Sequence, residues 1–415
     1  MNRFILSTVL LAFAGSVFAT NMKAPISLPT AKTLPKGVRN INLKGVFASA
    51  SEKYNTFGNP VGLSDPMYTN VTFGDLIIGK DDGFDKAGII SKMQLVGATE
   101  ETILGETTGD INVKPTVTVP VFAWGITNKW TAAIAVPIMK YSLNVDSGIR
   151  QTNADIYNKV QTELMNDGLH AEREELNRKF AAPLQAKVIE YGYKPLANEE
   201  GTKLGDIALV NRLKAWEDKN NALTLTGAIV LPTGKELDPN KIVDVPGGDG
   251  QTDIVVGLNH DFYFAKYFTF SSGFSYTAQL SDTVERRVPI QRKSTVSKDR
   301  DNNIDRNLGD ITTAQMASNV NYRGYSFGMG YTFSYKSGDK YTGDIYEQTR
   351  YDWLGKDSVQ NMQALTAKIG YDTITLFKEG KFIAPLAISL THTRVLDGKN
   401  MVNDPLTVLD FNMFF

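Results

Sequence analysis

Regular alternation of side-chain type between Gly205 and Leu280 constrains this chain more than any other feature. From Asn221 onward, Leu223, Leu225, Ile229 and Leu231 fall on one face, and Ala222, Thr224, Thr226 and Ala228 on the other. Successive side chains of a strand point to opposite sides, so this period of two reads as β structure. After Thr252, Ile254, Val256, Leu258, Phe262 and Phe264 oppose Asp253, Gly257, Asn259 and Asp261. Past a tight turn at Ala265 and Lys266, Phe268, Phe270, Phe274, Tyr276 and Leu280 oppose Thr269, Ser271, Gly273, Ser275, Thr277 and Gln279. One face carries large apolar rings and the other carries Ser, Thr, Gly, Asn and Asp. A soluble antiparallel sandwich also alternates, but a wall of small polar residues is unsuited to a dry core. A transmembrane barrel has this dyad pattern, with lipid outside and a wet lumen inside.

The two ends of the chain sharpen that choice. Residues Met1–Ala19 read as a secretory signal peptide: Arg3, then an apolar run, then Val17-Phe18-Ala19 as a small-residue cleavage site. Beyond Ala19 no stretch approaches about 18 consecutive apolar residues, which excludes a helical inner-membrane protein. The absence of cysteine excludes disulfides, thiolate metal sites and a lipid-modified N-terminal Cys. The charge balance of 44 basic against 45 acidic residues offers no field for nucleic acid. At the other end, Thr407, Leu409, Phe411, Met413 and Phe415 share one face of a final strand. An apolar alternation ending on a terminal aromatic resembles the C-terminal signal by which bacterial outer-membrane barrels engage their assembly machinery, with Phe411, Met413 and Phe415 as the signal residues. A soluble domain gains nothing by exposing Phe414-Phe415 at a fraying end.

Strand signals recur at Gly88–Ala98, Ile111–Trp124, Trp130–Leu143, Ile207–Trp216, Asn221–Leu231, Thr252–Phe264, Phe268–Leu280, Ala314–Tyr322, Tyr325–Lys336, Ala364–Leu376, Phe382–Leu390 and Pro405–Phe415. The expected fold is therefore an all-β, antiparallel transmembrane barrel of about 12 strands, with 14 as the alternative, carrying a helical extracellular insertion. With Phe415 in the periplasm, the turns at Thr127, Asp218, Ala265, Arg323 and Lys378 are all short and periplasmic, and the long connections all fall outside. Pro115, Pro120, Pro137 and Pro385 should sit at bulges or strand ends, since a closed barrel has no edge to hide a missing N–H. The domain reading is signal peptide 1–19, an N-terminal segment 20–85 acting as periplasmic extension or lumen plug, and barrel 86–415. Within the barrel, Asn153–Tyr191 breaks the pattern with Ile156, Val160, Leu164, Leu176, Phe180, Leu184 and Val188 at helical spacing. An amphipathic insertion at about 150–195, broken at Asp167-Gly168, is expected there. It could serve as a lid on the barrel mouth or as a greasy capture site for ligand.

At Leu225–Gly234 (LTGAIVLPTG), Gly248–Phe264 (GDGQTDIVVGLNHDFYF) and Phe268–Tyr276 (FTFSSGFSY), the chain resembles the outer-membrane family annotated for the meta-pathway of phenol degradation. Members of that family resemble long-chain fatty-acid transporters. The resemblance implies passive passage of small hydrophobic or aromatic compounds across the outer membrane, and an N-terminal segment that plugs the lumen. It carries no ligand residue, because Pro232, Gly234 and Gly250 act there as strand and turn punctuation.

The polar faces predict a lumen lined by Thr224, Thr226, Asp253, Asn259, Ser271, Ser275, Thr277, Ser326, Ser334, Thr391 and Asp410. Such a lining suits water-soluble solutes equally well, so a general diffusion porin and a structural or adhesive barrel stay open as alternatives. Asp299, Asp301, Asn303, Asp305 and Asp310 stand at the offsets of a calcium loop, although Ile304 holds the position where such a loop needs glycine. No other cofactor is expected. Arg286, Arg287, Arg292 and Lys293 beside that segment could meet lipopolysaccharide phosphates. An enzyme would have to use His170, His260 or His392. Only His392 lies where an outer-surface hydrolase would keep its base, and no serine motif accompanies it, so no catalytic residue is expected. The expected partners are outer-membrane lipid, lipopolysaccharide, the assembly machinery and a small hydrophobic solute.

Overall fold

The alternation closes on itself. The computed structural model describes residues 22–65, 68–77, 85–292 and 296–415. The expected leader 1–19 and Lys293 lie outside the described residues. Twelve antiparallel strands form the barrel. They are β1 Arg39–Phe47, β2 Ile103–Gly125, β3 Trp130–Ala135 continued after Pro137 as Ile138–Gln151, β4 Ile207–Glu217, β5 Asn221–Leu231 and β6 Asp253–Phe262. The circuit continues through β7 Phe268–Gln279, β8 Ile311–Tyr322, β9 Tyr325–Lys336, β10 Gln360–Asp372, β11 Leu386–Lys399 and β12 Leu406–Phe414. Each pairs with its sequence neighbour, and β1 closes the ring by pairing with β12, Asn40 opposite Phe414 and Phe47 opposite Thr407. Closure leaves no open edge among the backbone donors, which a hydrocarbon environment requires.

Two expectations are corrected here. Gly88–Ala98 is not a strand but lies mostly in helix α2, Lys86–Leu95, which follows the short helix α1, Phe73–Ile77, and whose first turn is capped by the Asp85 carboxylate accepting from the Gly88 amide at 2.7 Å. Ile89 and Met93, four apart, bury the same side of it, so the period that wins is 3.6 rather than 2. The first barrel strand is instead β1, which lies within the segment read as an extension or plug. The strand count is unchanged because one strand replaces the other. The strand expected to run to Leu376 ends at Asp372, followed by a short helix at Ile374–Lys378, and its neighbour begins at Leu386 rather than Phe382.

The prolines sit at breaks. Pro137 separates the two parts of β3, Pro120 faces that break across the sheet, Pro115 lies just beyond the end of β1, and Pro385 precedes β11. No ladder bond is asked of a missing N–H.

The outer surface is a continuous apolar belt. Leu209, Leu213, Leu225, Ile229, Val256, Phe270, Phe274, Phe327, Met329, Phe333, Leu390 and Leu409 all point outward and stay exposed. Leaving one Leu or Phe in water rather than in an apolar medium costs roughly 1.5–3 kcal/mol, so a belt of this extent needs lipid. Trp124, Trp130, Trp216, Phe264, Phe268, Tyr322 and Tyr325 gather at the rim that carries the short turns. That is the aromatic girdle of a membrane interface. No helix among the described residues is long and apolar enough to cross a membrane.

At the opposite rim, helices α3 Ala154–Asn166, α4 His170–Ala181 and α5 Pro183–Glu190 form the expected insertion, with a further break at Ala182-Pro183. Val160, Leu164, Leu176 and Phe180 do not face a ligand space. They close a core of their own with Ile89 and Met93 of α2 and with Phe73, where Tyr157 stacks on Phe180 at 4.1 Å. Leu184 and Val188 of α5 instead join the apolar cluster at the head of the barrel.

Asp404 lies in the connection that leads into β12 at this rim, outside the membrane-spanning segments, and is only 7% exposed. Burial pushes its carboxyl up to about 6. The folded protein therefore keeps a proton that the unfolded chain has released between about pH 4 and pH 6, and stability falls as pH rises through that window. Asp404→Asn is expected to stabilise the barrel by about 2–3 kcal/mol above pH 6 and to change nothing below about pH 4, read as urea midpoints at the two pH values. Equal midpoints for variant and parent at neutral pH would contradict it.

Candidate functional site: a two-faced lumen with a thread through it

The lumen is not uniformly polar. Val113, Val117, Val119 and Val121 of β2, Met139 of β3, Ala208 and Val210 of β4, Ala228 of β5, Val255 of β6, Val395 of β11 and Val408 of β12 point inward and form one buried apolar cluster. The opposite wall, β7 to β9, is polar: Ser271, Ser275, Thr277, Thr313, Gln315, Thr332 and Ser334. An apolar inner face arises because β2 and its neighbours carry valine and alanine where the other strands carry hydroxyl and amide residues. In β2 the valines alternate with Asn112, Lys114, Thr116 and Thr118, so there the apolar face is the inward one and the polar face the outward one.

Residues 22–36 pass down this lumen from the long-connection rim to the short-turn rim before the chain turns into β1. Met22, Ala24 and Ile26 pack against the apolar wall. The thread forms no helix or strand, so its backbone polar groups depend on the wall side chains. The Arg212 guanidinium donates to the Thr30 carbonyl, and the Thr224 hydroxyl donates to the Ala31 carbonyl. Thr393 donates to the Pro25 carbonyl at 2.7 Å, and the Thr131 hydroxyl accepts from the Leu34 amide at 2.8 Å. The Thr30 hydroxyl donates to Asp261 at 3.1 Å. Pro25, Pro29 and Pro35 further lower the number of donors to be satisfied. The wall makes room with glycine: a Cβ on Gly330 would lie 2.6 Å from the Leu28 side chain, and one on Gly273 3.0 Å from Pro29.

On either side of the thread lie two cavities. The larger, about 490 Å³, opens toward the short-turn rim, and Ser271 and Ser326 line it. The smaller, about 240 Å³, lies toward the other rim and is lined by Thr226, Asp253, Asn259, Ser275, Thr277 and Ser334. Thr224, Thr391 and Asp410 are buried on the inner face without lining either cavity. Asp410 is the centre of a buried cluster: its carboxylate accepts from Lys44 and Asn42 of β1 and, at 2.7 Å, from Asn412. Sequence reading missed the charged lumen residues Lys44, Arg212 and Lys368, and it placed Asp261 on the polar face without counting it among the lining residues. Arg212 was accessible to it, since it alternates with the outward Leu209 and Leu213.

The proposed calcium ligands are not brought together as a loop. Arg300–Asn307 is a strand, and its carboxylates are spent elsewhere. Asp299 pairs with Arg350 at 2.6 Å, Asp301 accepts from the Tyr351 hydroxyl and the Asn303 amide, Asp305 meets Thr283, and Asp310 accepts from Tyr276 and from the Gln279 amide. No metal-holding cluster of His and acidic residues occurs among the described residues. Arg286 pairs with Glu236 at 3.1 Å, and Arg287 donates to the carbonyls of Tyr191, Gly192, Pro239 and Ser297, so both act as braces between loops. Arg292 is exposed. His392 shares a 3.0 Å hydrogen bond with Thr407 on the next strand, and His260 one of 3.1 Å with Asn221. His170 opens α4. Phe411 and Phe415 are exposed on the outer surface, with Met413 partly so.

No protein-family model matches the chain, and no curated protein does. Among solved structures, the COG4313 outer membrane channel from Pseudomonas putida F1 is similar over 94% of this chain and 100% of that one, with a TM-score of 0.54 at 10% identity. The toluene transporter TbuX of Ralstonia pickettii gives a TM-score of 0.33 at 10% identity, over 92% of this chain and 90% of that chain. A FadL homologue of Pseudomonas aeruginosa gives 0.31 at 8% identity, over 92% and 90%. The first of these shares its fold with the present chain.

Proposed function

We propose that this chain is an outer-membrane channel for passive passage of small hydrophobic or aromatic compounds, closed in the present state by residues 22–36. The observation that carries the reading is the apolar inner wall from β2 to β6, which the thread covers with Met22, Ala24 and Ile26. A pore for polar solutes has no use for a strip of valines along its lumen, since exposed there they would cost free energy without holding the solute. Withdrawal of the thread leaves an apolar track on one side and hydroxyl and amide groups on the other. An amphiphilic ring such as a phenol can contact both. In this reading the short-turn rim faces the periplasm, and the helical cap faces the exterior. The fold shared with the Pseudomonas putida channel supports the reading.

The polar wall of β7 to β9 favours a second reading, a general porin. Uptake into liposomes carrying the refolded protein separates the two. Faster entry of a small phenol than of a sugar of similar size supports hydrophobic passage, and equal entry, or entry of the sugar alone, replaces it with the porin.

A further inference from the structure

The larger cavity carries an imbalance of charge that the passage of neutral compounds does not use. Four of its lining residues are cationic, Lys32, Lys266, Arg323 and Lys368, against two acidic ones, Asp261 and Asp372. Lys368 is the notable member. It projects inward from β10, and the charged groups acting on it are Asp410, Lys44 and Lys32. Asp410 cannot serve it fully, because the same carboxylate already holds Lys44, Asn42 and Asn412. Lys368 thus makes no hydrogen bond or ion pair with any described residue, while two further lysines repel it. Leu28 and Ile374 line the same chamber and add apolar surface.

We propose that this chamber is a binding site for the carboxylate of a small aromatic or aliphatic acid, with Lys368 as its anchoring cation. The proposal rests on the passage reading and names a substrate class for it. A carboxylate facing Lys368 supplies the counter-charge that Asp410 shares out, and charge-assisted hydrogen bonds of this kind are about twice as strong as neutral ones. The ring or chain of the acid then lies against Leu28 and Ile374. The chamber volume of about 490 Å³ suits a ligand of that size.

The test is calorimetric titration of the purified, full-length protein with benzoate, its neutral analogue benzamide, and sulfate. Benzoate should bind at least about tenfold more tightly than benzamide and than sulfate. Lys368→Gln should abolish that preference and Lys368→Arg should keep it, with heat-modifiable migration on gels confirming that each barrel assembles. If the Gln variant does not assemble, the comparison of benzoate with benzamide on the parent, and the Arg variant, still decide. Equal binding of benzoate and benzamide, or binding of sulfate as tightly as benzoate, overturns the proposal. The two readings fail separately: neutral phenol crossing liposomes without benzoate binding removes only the acid site, whereas benzoate binding without passage of any solute removes only the channel.

Discussion

Excision of residues 22–32 converts the barrel into an open conduit, and in planar bilayers the variant should conduct at least about tenfold more current than the parent, as a water-filled lumen does. The thread fills the space between the apolar wall and the polar one, and it separates the two cavities. Wall side chains hold it there: Arg212, Thr224, Thr131 and Thr393 act on its backbone, and Asp261 on Thr30. The barrel wall contributes its own ladder throughout, so assembly should survive the deletion. A milder intervention comes from the wall. Gly330→Val places new atoms where the end of the Leu28 side chain now lies, so Leu28 is driven from its seat and the thread is loosened there; conductance should rise by a smaller factor. Parent-like conductance in both variants would mean that the thread does not close the lumen.

The second large effect is on stability. Lys44 and Asp410 are an ion pair about 1% and 3% exposed, on β1 and β12, the two strands that meet at the closing seam. Breaking a buried pair by removing one partner costs about 3–5 kcal/mol, because the survivor is left charged and without its counter-ion. Asp410→Ala strands Lys44 beside Lys368 and Lys32, which already repel one another. We expect the urea midpoint to fall accordingly and the loss to exceed that from Lys44→Met, which leaves Asp410 hydrogen-bonded to Asn42 and Asn412 and within the field of Lys368. The double variant should recover part of the loss. A midpoint for Asp410→Ala equal to the parent would show that the pair is not buried as described.

Residues on the barrel strands announced themselves wherever one face was ringed and the other hydroxylic. Tyr325–Lys336 is the clearest case, and its observed bounds coincide with the reading. The alternation of Asn40, Asn42 and Lys44 with Ile41, Leu43 and Phe47 is as regular, yet it lies in a segment rich in Gly, Pro and Asn, whose short apolar runs left a lumen plug and two further strands as rival readings. Gly88–Ala98 failed for the opposite reason: Ile89, Ile90, Met93 and Leu95 fit either period, and only the Asp85 cap and packing on α3 choose the helix. The inner face was half legible. Hydroxyl and amide residues could be assigned inward by elimination, but Val119 and Val121 could not, because the rule that turns the apolar face to lipid points them outward, whereas Thr116, Thr118 and Pro120 take that side. The path of the thread was beyond local reading altogether, since Arg212 and Thr30 are 182 residues apart and meet only through closure of the ring.

The continuity of residues 22–47 has a consequence for how the molecule is made. The thread turns at Gly37, whose amide bonds to Gly125 at 2.8 Å, and becomes the strand that meets β12. A stopper and the last stave of the cask are thus one piece of chain, joined at the rim. Pairing of β1 with β12 therefore sets the anchored end of the stopper at the mouth of the lumen, so sealing the wall and delivering the stopper to its place are linked through one length of chain.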